Sequence, residues 1–165
     1  MSNIFLIGFM GTGKSTVASY IATHYGRDII EMDELIAERE KMSIPDIFDK
    51  YGEDYFRKAE TTLLKEIENE HNKVVSCGGG IVLREQNVTM MKESGRVVLL
   101  TAKPETILER VKKDDNRPLL KNNKNVDFIR NMMEQRQLKY EKAADIIVPT
   151  DGKSTADICK EIMDR

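Results

Sequence analysis

The feature that most constrains the fold of this chain is an octapeptide near its N-terminus. Residues 8–15 read Gly-Phe-Met-Gly-Thr-Gly-Lys-Ser and match the pattern G-x-x-x-x-G-K-[ST]. An apolar run that predicts a strand comes before the octapeptide, and a segment with helical periodicity follows it. In this order the backbone N–H groups of the turn and the helix N-terminus together attract an anion. The sequence therefore predicts a P-loop that binds the phosphates of a nucleoside triphosphate.

The residue types in this octapeptide and just after it indicate what each side chain would contact. The residues assigned to ATP are Gly11, Thr12, Gly13, Lys14, Ser15 and Thr16. Glycines let the backbone fold around an anion, and Lys14 can neutralise the phosphates, so it is also a candidate catalytic residue. The hydroxyl of Ser15 is the predicted ligand of a Mg2+ ion that bridges the phosphates. For Thr16, a bond to the local backbone is equally open.

Beyond the octapeptide, short apolar runs alternate with longer segments of helical periodicity. This alternation is typical of an α/β fold in which a parallel sheet carries helices on both faces. Strands are predicted at 3–8, 28–32, 73–77, 96–101 and 145–149. Helices are predicted at 14–25, 34–41, 53–70, 104–113, 126–142 and 154–164, with a short extra helix between Ser43 and Gly52. We expect three layers around a central five-stranded parallel sheet, in a single domain over residues 1–165.

One stretch departs from this regular pattern. Residues 112–125 are crowded with Lys, Asn and Asp around the segment Arg117-Pro118-Leu119-Leu120. From the residues alone, a solvated loop and a mobile lid over an active site are both open, because loops often carry function and must open to exchange ligands.

Composition and charge exclude several classes of protein. A formal net charge of -2 offers no overall attraction to nucleic acid or anionic membranes, so neither partner is expected. Cys77 and Cys159 lie far apart and lack metal-ligand spacing, which argues against a disulfide framework or a zinc site. The first residues lack the basic flank and apolar length of a signal peptide, and no segment is apolar enough to span a bilayer. We therefore expect a soluble protein of the reducing cytoplasm.

A P-loop alone does not choose between a switch GTPase, a motor ATPase and a small-molecule kinase. A switch GTPase would need a guanine-recognition segment such as Asn-Lys-x-Asp after a later strand, and 97–103 and 146–152 contain none. Motor ATPases usually close an apolar strand with Asp or Glu, whereas the strand predicted at 73–77 is followed by Gly78-Gly79-Gly80. These observations favour a small-molecule kinase.

Several separate motifs occur in the order found in shikimate kinases, and the chain resembles that family over essentially its whole length. The motifs are the P-loop, Asp33 after the second strand, Phe56-Arg57-x-x-Glu60, Gly78-Gly79-Gly80, Arg117-Pro118-Leu119-Leu120, and Arg136 with Tyr140. The resemblance implies a nucleoside-monophosphate-kinase-like fold with a helical shikimate-binding segment at about residues 33–60 and a lid at about 112–125. It also implies transfer of the ATP γ-phosphoryl group to the 3-hydroxyl of shikimate, with Mg2+, on the route to chorismate and the aromatic amino acids.

Asp33 is the candidate residue for the acceptor hydroxyl. It follows the strand predicted at 28–32, at the sheet edge where open parallel sheets bind ligands. From position alone it is equally a helix N-cap. The resemblance implies that Asp33 binds shikimate hydroxyls and acts as the base. Where the family usually has a second aspartate this chain has Glu31, whose extra methylene leaves its role open.

Two arginines are the candidates for the substrate carboxylate, because guanidinium groups match a carboxylate in two-bond geometry. Arg57 is one, although with Glu60 three residues on it could form only a surface ion pair. Arg136 is the other, within an apolar helical stripe, where a snorkelling arginine is the alternative. The resemblance makes Glu60 the positioning partner of Arg57.

Three further assignments complete the predicted site. Gly78, Gly79 and Gly80 would let the backbone approach the substrate closely, with a flexible turn as the alternative. The resemblance places Arg110 and Arg117 on the nucleotide side. Arg117, on the predicted lid, is the candidate for stabilising phosphate charge during transfer.

Three functional hypotheses follow from the sequence. The first is a monomeric shikimate kinase whose small-molecule partners are ATP and shikimate. The second is a kinase of the same architecture acting on gluconate or a nucleotide. The third is a nucleotide-binding regulator without catalysis, against which the presence of Asp33, Arg57 and Arg136 argues.

Overall fold

A computed structural model of the protein describes residues 2–111 and 125–165. Its strands are β1 (Asn3–Ile7), β2 (Asp28–Glu31), β3 (Lys73–Ser76), β4 (Gly95–Thr101) and β5 (Ile146–Pro149). They form one five-stranded sheet in the order β2-β3-β1-β4-β5, and every neighbouring pair is parallel. In the central strand, Phe5 pairs with Val75 on one side and Val97 on the other. The predicted five-stranded parallel sheet is confirmed.

The helices lie between these strands in chain order. They are α1 (Lys14–Tyr25), α2 (Met32–Glu40), α3 (Ile44–Tyr51), α4 (Glu53–Ile67), α5 (Glu85–Ser94), α6 (Pro104–Val111), α7 (Val126–Ala143) and α8 (Thr155–Met163). The short helix α3 forms as predicted, because the side chain of Ser43 accepts a hydrogen bond from the backbone N–H of Asp46 at 3.2 Å. Gly52, with φ +85°, ends α3.

The two faces of the sheet carry separate apolar clusters. In β1, Phe5 and Ile7 pack on one face with α2, α4 and α5, whereas Ile4 and Leu6 pack on the other with α1 and α8. This alternation follows from the two-residue period of a strand. The predicted arrangement of helices on both faces is therefore also confirmed.

The helix α5 and a short 3-10 helix at Ile81–Leu83 were not predicted from the sequence. Only Asn87, Met90 and Met91 of α5 are buried, so its apolar face is narrow and contains a polar residue. That face is too weak to predict a helix by periodicity. The predicted lid at about 112–125, including Arg117, lies outside the described residues except for Asn125.

The chain reverses direction at the carboxyl ends of β1, β2, β3 and β4, which meet at one edge of the sheet. The P-loop follows β1, Asp33 follows β2 and the glycine triplet follows β3. The topology thus gathers these segments at the edge where parallel sheets bind ligands. In the part of the chain that the structure describes, no helix combines the length and apolar character needed to cross a membrane.

Candidate active site

A cleft of about 380 Å³ opens at this edge of the sheet. The P-loop forms one wall through Gly11, Gly13, Lys14, Ser15 and Thr16. Other lining residues are Glu31, Asp33, Ser76, Gly78, Gly79 and Arg110. Residues far apart in sequence therefore border one space.

Two glycines of the P-loop adopt backbone conformations that other residues rarely reach. Gly8 has φ +146°, and a β-carbon there would strike the carbonyl oxygen of Leu100. Gly13 has φ +95° and is the N-cap residue of α1. The loop therefore ends with the backbone N–H groups of the first turn of α1 at the cleft.

The side chains of Thr12 and Lys14 hold the loop together from within. Thr12 is buried, and its hydroxyl donates to the carbonyl oxygen of Phe9 at 2.8 Å. The ammonium group of Lys14 donates to the carbonyl oxygens of Gly8 at 2.8 Å and Phe9 at 3.0 Å. The side chain of Thr12 thus bonds within the loop, whereas Lys14 lines the cleft.

Three oxygen-bearing side chains meet beside the P-loop. The hydroxyl of Ser15 donates to Oε2 of Glu31 at 2.9 Å and lies 3.4 Å from the hydroxyl of Ser76. Burial raises the pKa of Glu31, while its hydrogen bonds to Ser15 and Ser76 act in the opposite direction. The carboxylate of Glu31 accepts a hydrogen bond from Ser15 directly. A glutamate, one methylene longer than the usual aspartate, therefore still lies within this group of oxygens.

Arg110 is fixed near the P-loop by two contacts. Its guanidinium donates to the carbonyl oxygen of Gly11 at 2.9 Å and to the hydroxyl of Thr150 at 3.4 Å. The side chain is exposed and lines the cleft. Arg110 therefore lies beside the P-loop, and its contact with a nucleotide stays a prediction.

The glycine triplet is the point where the other predicted site residues meet. A β-carbon on Gly78 would lie 2.8 Å from Oδ1 of Asp33 and 2.9 Å from Oε2 of Glu60. A β-carbon on Gly80 would collide with the guanidinium of Arg57. A side chain at Gly78 or Gly80 would therefore displace the protein's own charged groups, which fill that space.

Arg136 and Tyr140 reach the same turn from α7. A β-carbon on Gly79 would lie 3.5 Å from Nη1 of Arg136 and 3.7 Å from the hydroxyl of Tyr140. The Tyr140 hydroxyl donates to the carbonyl oxygen of Gly79, and Tyr140 is 3% exposed. Arg136 is half-buried, so its guanidinium reaches the glycine turn and is not confined to bulk solvent.

Arg57 and Glu60 form a buried ion pair, so the alternative of a surface pair is wrong. Nη1 of Arg57 lies 2.9 Å from Oε1 of Glu60, and the two side chains are 9% and 0% exposed. The exposed carboxylate of Glu53 binds Arg57 from the other side at 3.1 Å. Burial lowers the pKa of Arg57, but the attraction and hydrogen bonds of Glu60 and Glu53 outweigh burial and raise it.

The alternative of Asp33 as a helix N-cap is also wrong. The helix α2 begins at Met32, two residues earlier than that alternative requires, and Glu31 occupies the N-cap position. Asp33 lies in the first turn, where an acidic side chain is favourable near the helix dipole. Its carboxylate borders both the cleft and Gly78.

A buried asparagine that supports the glycine triplet was not predicted from the sequence. Asn87 is 1% exposed, and its amide donates to the carbonyl oxygen of Ile81 at 3.0 Å. Its Oδ1 accepts a hydrogen bond from the hydroxyl of Thr61 at 2.8 Å. Asn87 thereby ties α4 to the turn after Gly80. Its position in a missed helix hid this role, and a buried asparagine on a narrow apolar face is the one signal that could have revealed it.

A P-loop that shares one cleft with carboxylates and with a glycine turn against which two arginines pack, on a parallel sheet, is typical of small-molecule P-loop kinases. Comparison with known proteins narrows this class. A sequence model described as shikimate kinase matches residues 10–165, and the chain belongs to the shikimate kinase family.

Relatives of known name agree over the full length of the chain. A shikimate kinase from Persephonella marina is 43% identical over 165 residues, covering 100% of this chain and 99% of the relative. One from Dehalococcoides mccartyi is 41% identical over 99% of this chain and 92% of the relative. The solved structure of an Acinetobacter baumannii shikimate kinase in complex with shikimate superposes with a TM-score of 0.93. It is 33% identical and covers 99% of this chain and 91% of that chain. The family and fold implied by the motifs are thus confirmed.

Proposed function

We propose that this chain transfers the γ-phosphoryl group of ATP to the 3-hydroxyl of shikimate, giving shikimate 3-phosphate and ADP. The observation that carries the proposal is the convergence of Asp33, Arg57 and Arg136 on the glycine triplet, beside the P-loop. A carboxylate and two guanidinium groups complement an acceptor that has hydroxyl groups and one carboxylate.

On the nucleotide side, the P-loop holds the phosphates through its backbone N–H groups. The backbone of Gly11, Thr12 and Gly13 forms the cradle, and Thr16 and Arg110 border it. Lys14 leaves its two carbonyl partners for the phosphates and neutralises charge that builds up during transfer. Arg117, on the predicted lid at about 112–125, stays a predicted second source of positive charge.

On the acceptor side, Arg57 and Arg136 hold the shikimate carboxylate and the glycine triplet lets the backbone approach the ring. Asp33 orients the 3-hydroxyl and accepts its proton as the hydroxyl oxygen bonds to the γ-phosphorus. The bond between the γ-phosphorus and the bridging oxygen breaks, and ADP leaves. Residues at about 33–60 provide Asp33 and Arg57, as expected of a substrate-binding segment.

The residues beside the P-loop fit a Mg2+ ion. Magnesium prefers oxygen ligands, and Ser15, Glu31 and Ser76 present three oxygen-bearing side chains within one cluster. We assign Ser15 as the side chain that would hold the ion. When bound, Mg2+ would neutralise phosphate charge and hold the phosphates in one geometry.

The proposed context is a monomer in the cytoplasm with no nucleic-acid or membrane partner. The support is the formal net charge of -2 and the two buried, unpaired cysteines, which are typical of a reducing compartment.

A coupled assay of ADP release, run with shikimate, gluconate and nucleoside monophosphates, tests the proposal. We expect turnover with shikimate that exceeds turnover with the other acceptors by orders of magnitude. A preference for gluconate or a nucleotide would assign the chain to the second kinase hypothesis. ATP binding without turnover on any acceptor would favour a nucleotide-binding regulator.

A further inference from the structure

Glu60 is a buried carboxyl whose second oxygen has no use in the proposed transfer. Its side chain is 0% exposed, and Oε1 pairs with Arg57 at 2.9 Å. Oε2 is buried and has no hydrogen-bond partner in the part of the chain that the structure describes. A buried carboxylate oxygen without a partner is costly, whereas a protonated carboxyl gains a donor and loses its charge.

Charged and titratable side chains surround Glu60, and they lie on the elements that pack against it. They are Glu53 and Arg57 on α4, Asp33 on α2, Arg136 and Tyr140 on α7, and Cys77 after β3. Gly78 brings the two carboxyl groups together, since a β-carbon there would lie 2.8 Å from Oδ1 of Asp33 and 2.9 Å from Oε2 of Glu60. A proton on Oε2 therefore faces the side on which Asp33 lies.

Together these groups and burial bring the pKa of Glu60 close to neutral pH. Its pKa is raised to about 7, because burial, the largest cause, and the charge of Asp33 raise it more than Arg57 and Arg136 lower it. The groups that favour the ionised form are thus the same two arginines assigned to the substrate carboxylate. An anion that binds to Arg57 and Arg136 therefore offsets their attraction for the ionised form of Glu60.

We propose that Glu60 takes up a proton from solvent when the acceptor carboxylate binds to Arg57 and Arg136. The inference rests on the proposed function for the identity of that acceptor. The incoming carboxylate adds a negative charge and competes for both guanidinium groups, so it disfavours a second negative charge on Glu60. Once protonated on Oε2, Glu60 still accepts from Arg57 through Oε1. Glu60 therefore acts as a positioning residue, and it becomes neutral when the negatively charged substrate carboxylate binds.

Isothermal titration calorimetry of shikimate binding tests this coupling in the intact wild-type protein. The titration is repeated at about pH 7.5 in buffers with different ionisation enthalpies, from which the number of protons exchanged is obtained. We expect net uptake of a fraction of a proton per shikimate bound. Affinity should fall as pH rises through the titration of Glu60, by at most about tenfold per pH unit.

Two matched variants assign the proton to Glu60. Glu60→Gln keeps the shape and the acceptor for Arg57 but cannot bind a proton, so uptake should be lost and affinity should become flat with pH. Glu53→Gln removes the charge of the other carboxylate that pairs with Arg57, and the side chain of Glu53 is 54% exposed. Water solvates that carboxylate, so uptake should remain as in wild type.

The outcomes are separable. Shikimate binding without proton uptake in wild type, or with equal uptake in Glu60→Gln, overturns the inference alone. A folded wild type that binds ATP but not shikimate overturns the proposed function and this inference with it. If Glu60→Gln does not fold, carbon-13 NMR of the Glu60 carboxyl in wild type decides. A resonance that moves toward the protonated form on adding shikimate supports the proposal, and one that stays in place overturns it.

Discussion

The P-loop and the acceptor pocket border the same cleft but are built in opposite ways. The P-loop is one stretch of eight residues, 8–15, whose backbone N–H groups and one lysine provide the positive potential. The acceptor pocket takes its charges from α2, α4 and α7, and they meet only at the glycine triplet. One site is therefore local in sequence, and the other exists only in the folded protein.

The difference extends to how each site holds its cations before a ligand binds. Lys14 bonds to the neutral carbonyl oxygens of Gly8 and Phe9, which are weak competitors for a phosphate. Arg57 is paired with the carboxylates of Glu53 and Glu60, one of them fully buried. A ligand at the P-loop replaces hydrogen bonds, whereas a ligand at the pocket changes a balance of buried charges. Mutations should accordingly act on chemistry in the P-loop and on acceptor binding or stability in the pocket.

The largest expected effect comes from Lys14→Ala. Turnover should fall by roughly a thousandfold, because the lost charge matters most as the phosphoryl group transfers. The fold should survive, since Lys14 borders the cleft and its hydrogen bonds to Gly8 and Phe9 lie within its own loop. Turnover is measured at saturating ATP and shikimate, and folding by circular dichroism and denaturant unfolding. Lys153→Ala, which removes a lysine paired with Glu161 on the surface, is the control. Near-normal turnover in a folded Lys14→Ala protein would contradict the P-loop assignment.

Asp33→Asn tests where the two sites meet. The change keeps the size of the side chain but removes its charge and its ability to accept a proton. Turnover should fall by roughly a hundredfold, the usual range for lost general-base help, while ATP affinity changes little.

Shikimate affinity then separates two roles of Asp33. A loss of turnover with normal shikimate binding supports the role of base, whereas a parallel loss of binding supports positioning, since phosphoryl transfer needs little base assistance. Asp28→Asn is the control, because Asp28 lies at the start of β2, pairs with Lys73 and has a side chain that is 81% exposed. Unchanged turnover at saturating shikimate in folded Asp33→Asn would remove both roles.

Arg136→Ala should affect the acceptor pocket alone. Shikimate affinity should fall roughly 10- to 100-fold, the value of a charged hydrogen bond to a carboxylate, while ATP affinity stays within about twofold. Calorimetry of each ligand measures both affinities. Arg130→Ala is the control. Arg130 lies on the same helix and its guanidinium binds Asp127 and Glu105 at the surface, so its removal should leave both affinities unchanged. Equal losses for shikimate and ATP in Arg136→Ala would show that the two sites are not separate.

The contrast between the sites also explains what could be predicted from the sequence. The P-loop, the parallel sheet and the short helix capped by Ser43 depend on neighbouring residues, so patterns and spacing were enough. The burial of Glu60 and the bond from Tyr140 to Gly79 depend on how α4 and α7 pack against the turn after β3. No local pattern contains that packing. For the same reason Arg57 and Glu60 could be read from spacing as a surface pair.

One rejected alternative and one missed helix have related physical causes. Asp33 is a good N-cap residue by type, but α2 starts at Met32, two residues earlier than a cap at Asp33 requires, and Glu31 takes the cap position while its side chain accepts a hydrogen bond from Ser15. The helix α5 is stabilised by tertiary contacts, including the hydrogen bonds of buried Asn87, and not by a broad apolar face. In both places the folded structure overrides a local preference.

Gly80→Ala, compared with Gly79→Ala, is the finest test, because both changes add one methyl group to the same turn. At Gly80 the methyl group would meet the guanidinium of Arg57, which Glu53 and Glu60 hold in place. The backbone of Gly80, with φ -98° and ψ 10°, suits alanine, so any cost comes from the clash. Displacing Arg57 leaves the buried Glu60 without its partner, and the free energy of unfolding should fall by about 1–3 kcal/mol.

At Gly79 the nearest atom would be Nη1 of Arg136 at 3.5 Å, an ordinary contact, and φ is not positive. Gly79→Ala should therefore be neutral or stabilise the protein by up to about 1 kcal/mol, since alanine restricts the unfolded chain. Denaturant unfolding without ligands measures both variants, and ATP affinity should be unchanged in Gly80→Ala because Gly80 does not line the cleft beside the P-loop. Since both variants lose the same glycine freedom, the difference between them isolates the clash with Arg57. Equal stability of the two variants would mean that Arg57 can move without cost. The buried ion pair of Arg57 and Glu60 would then not be what holds the acceptor pocket in shape, and this contrast with the P-loop would be lost.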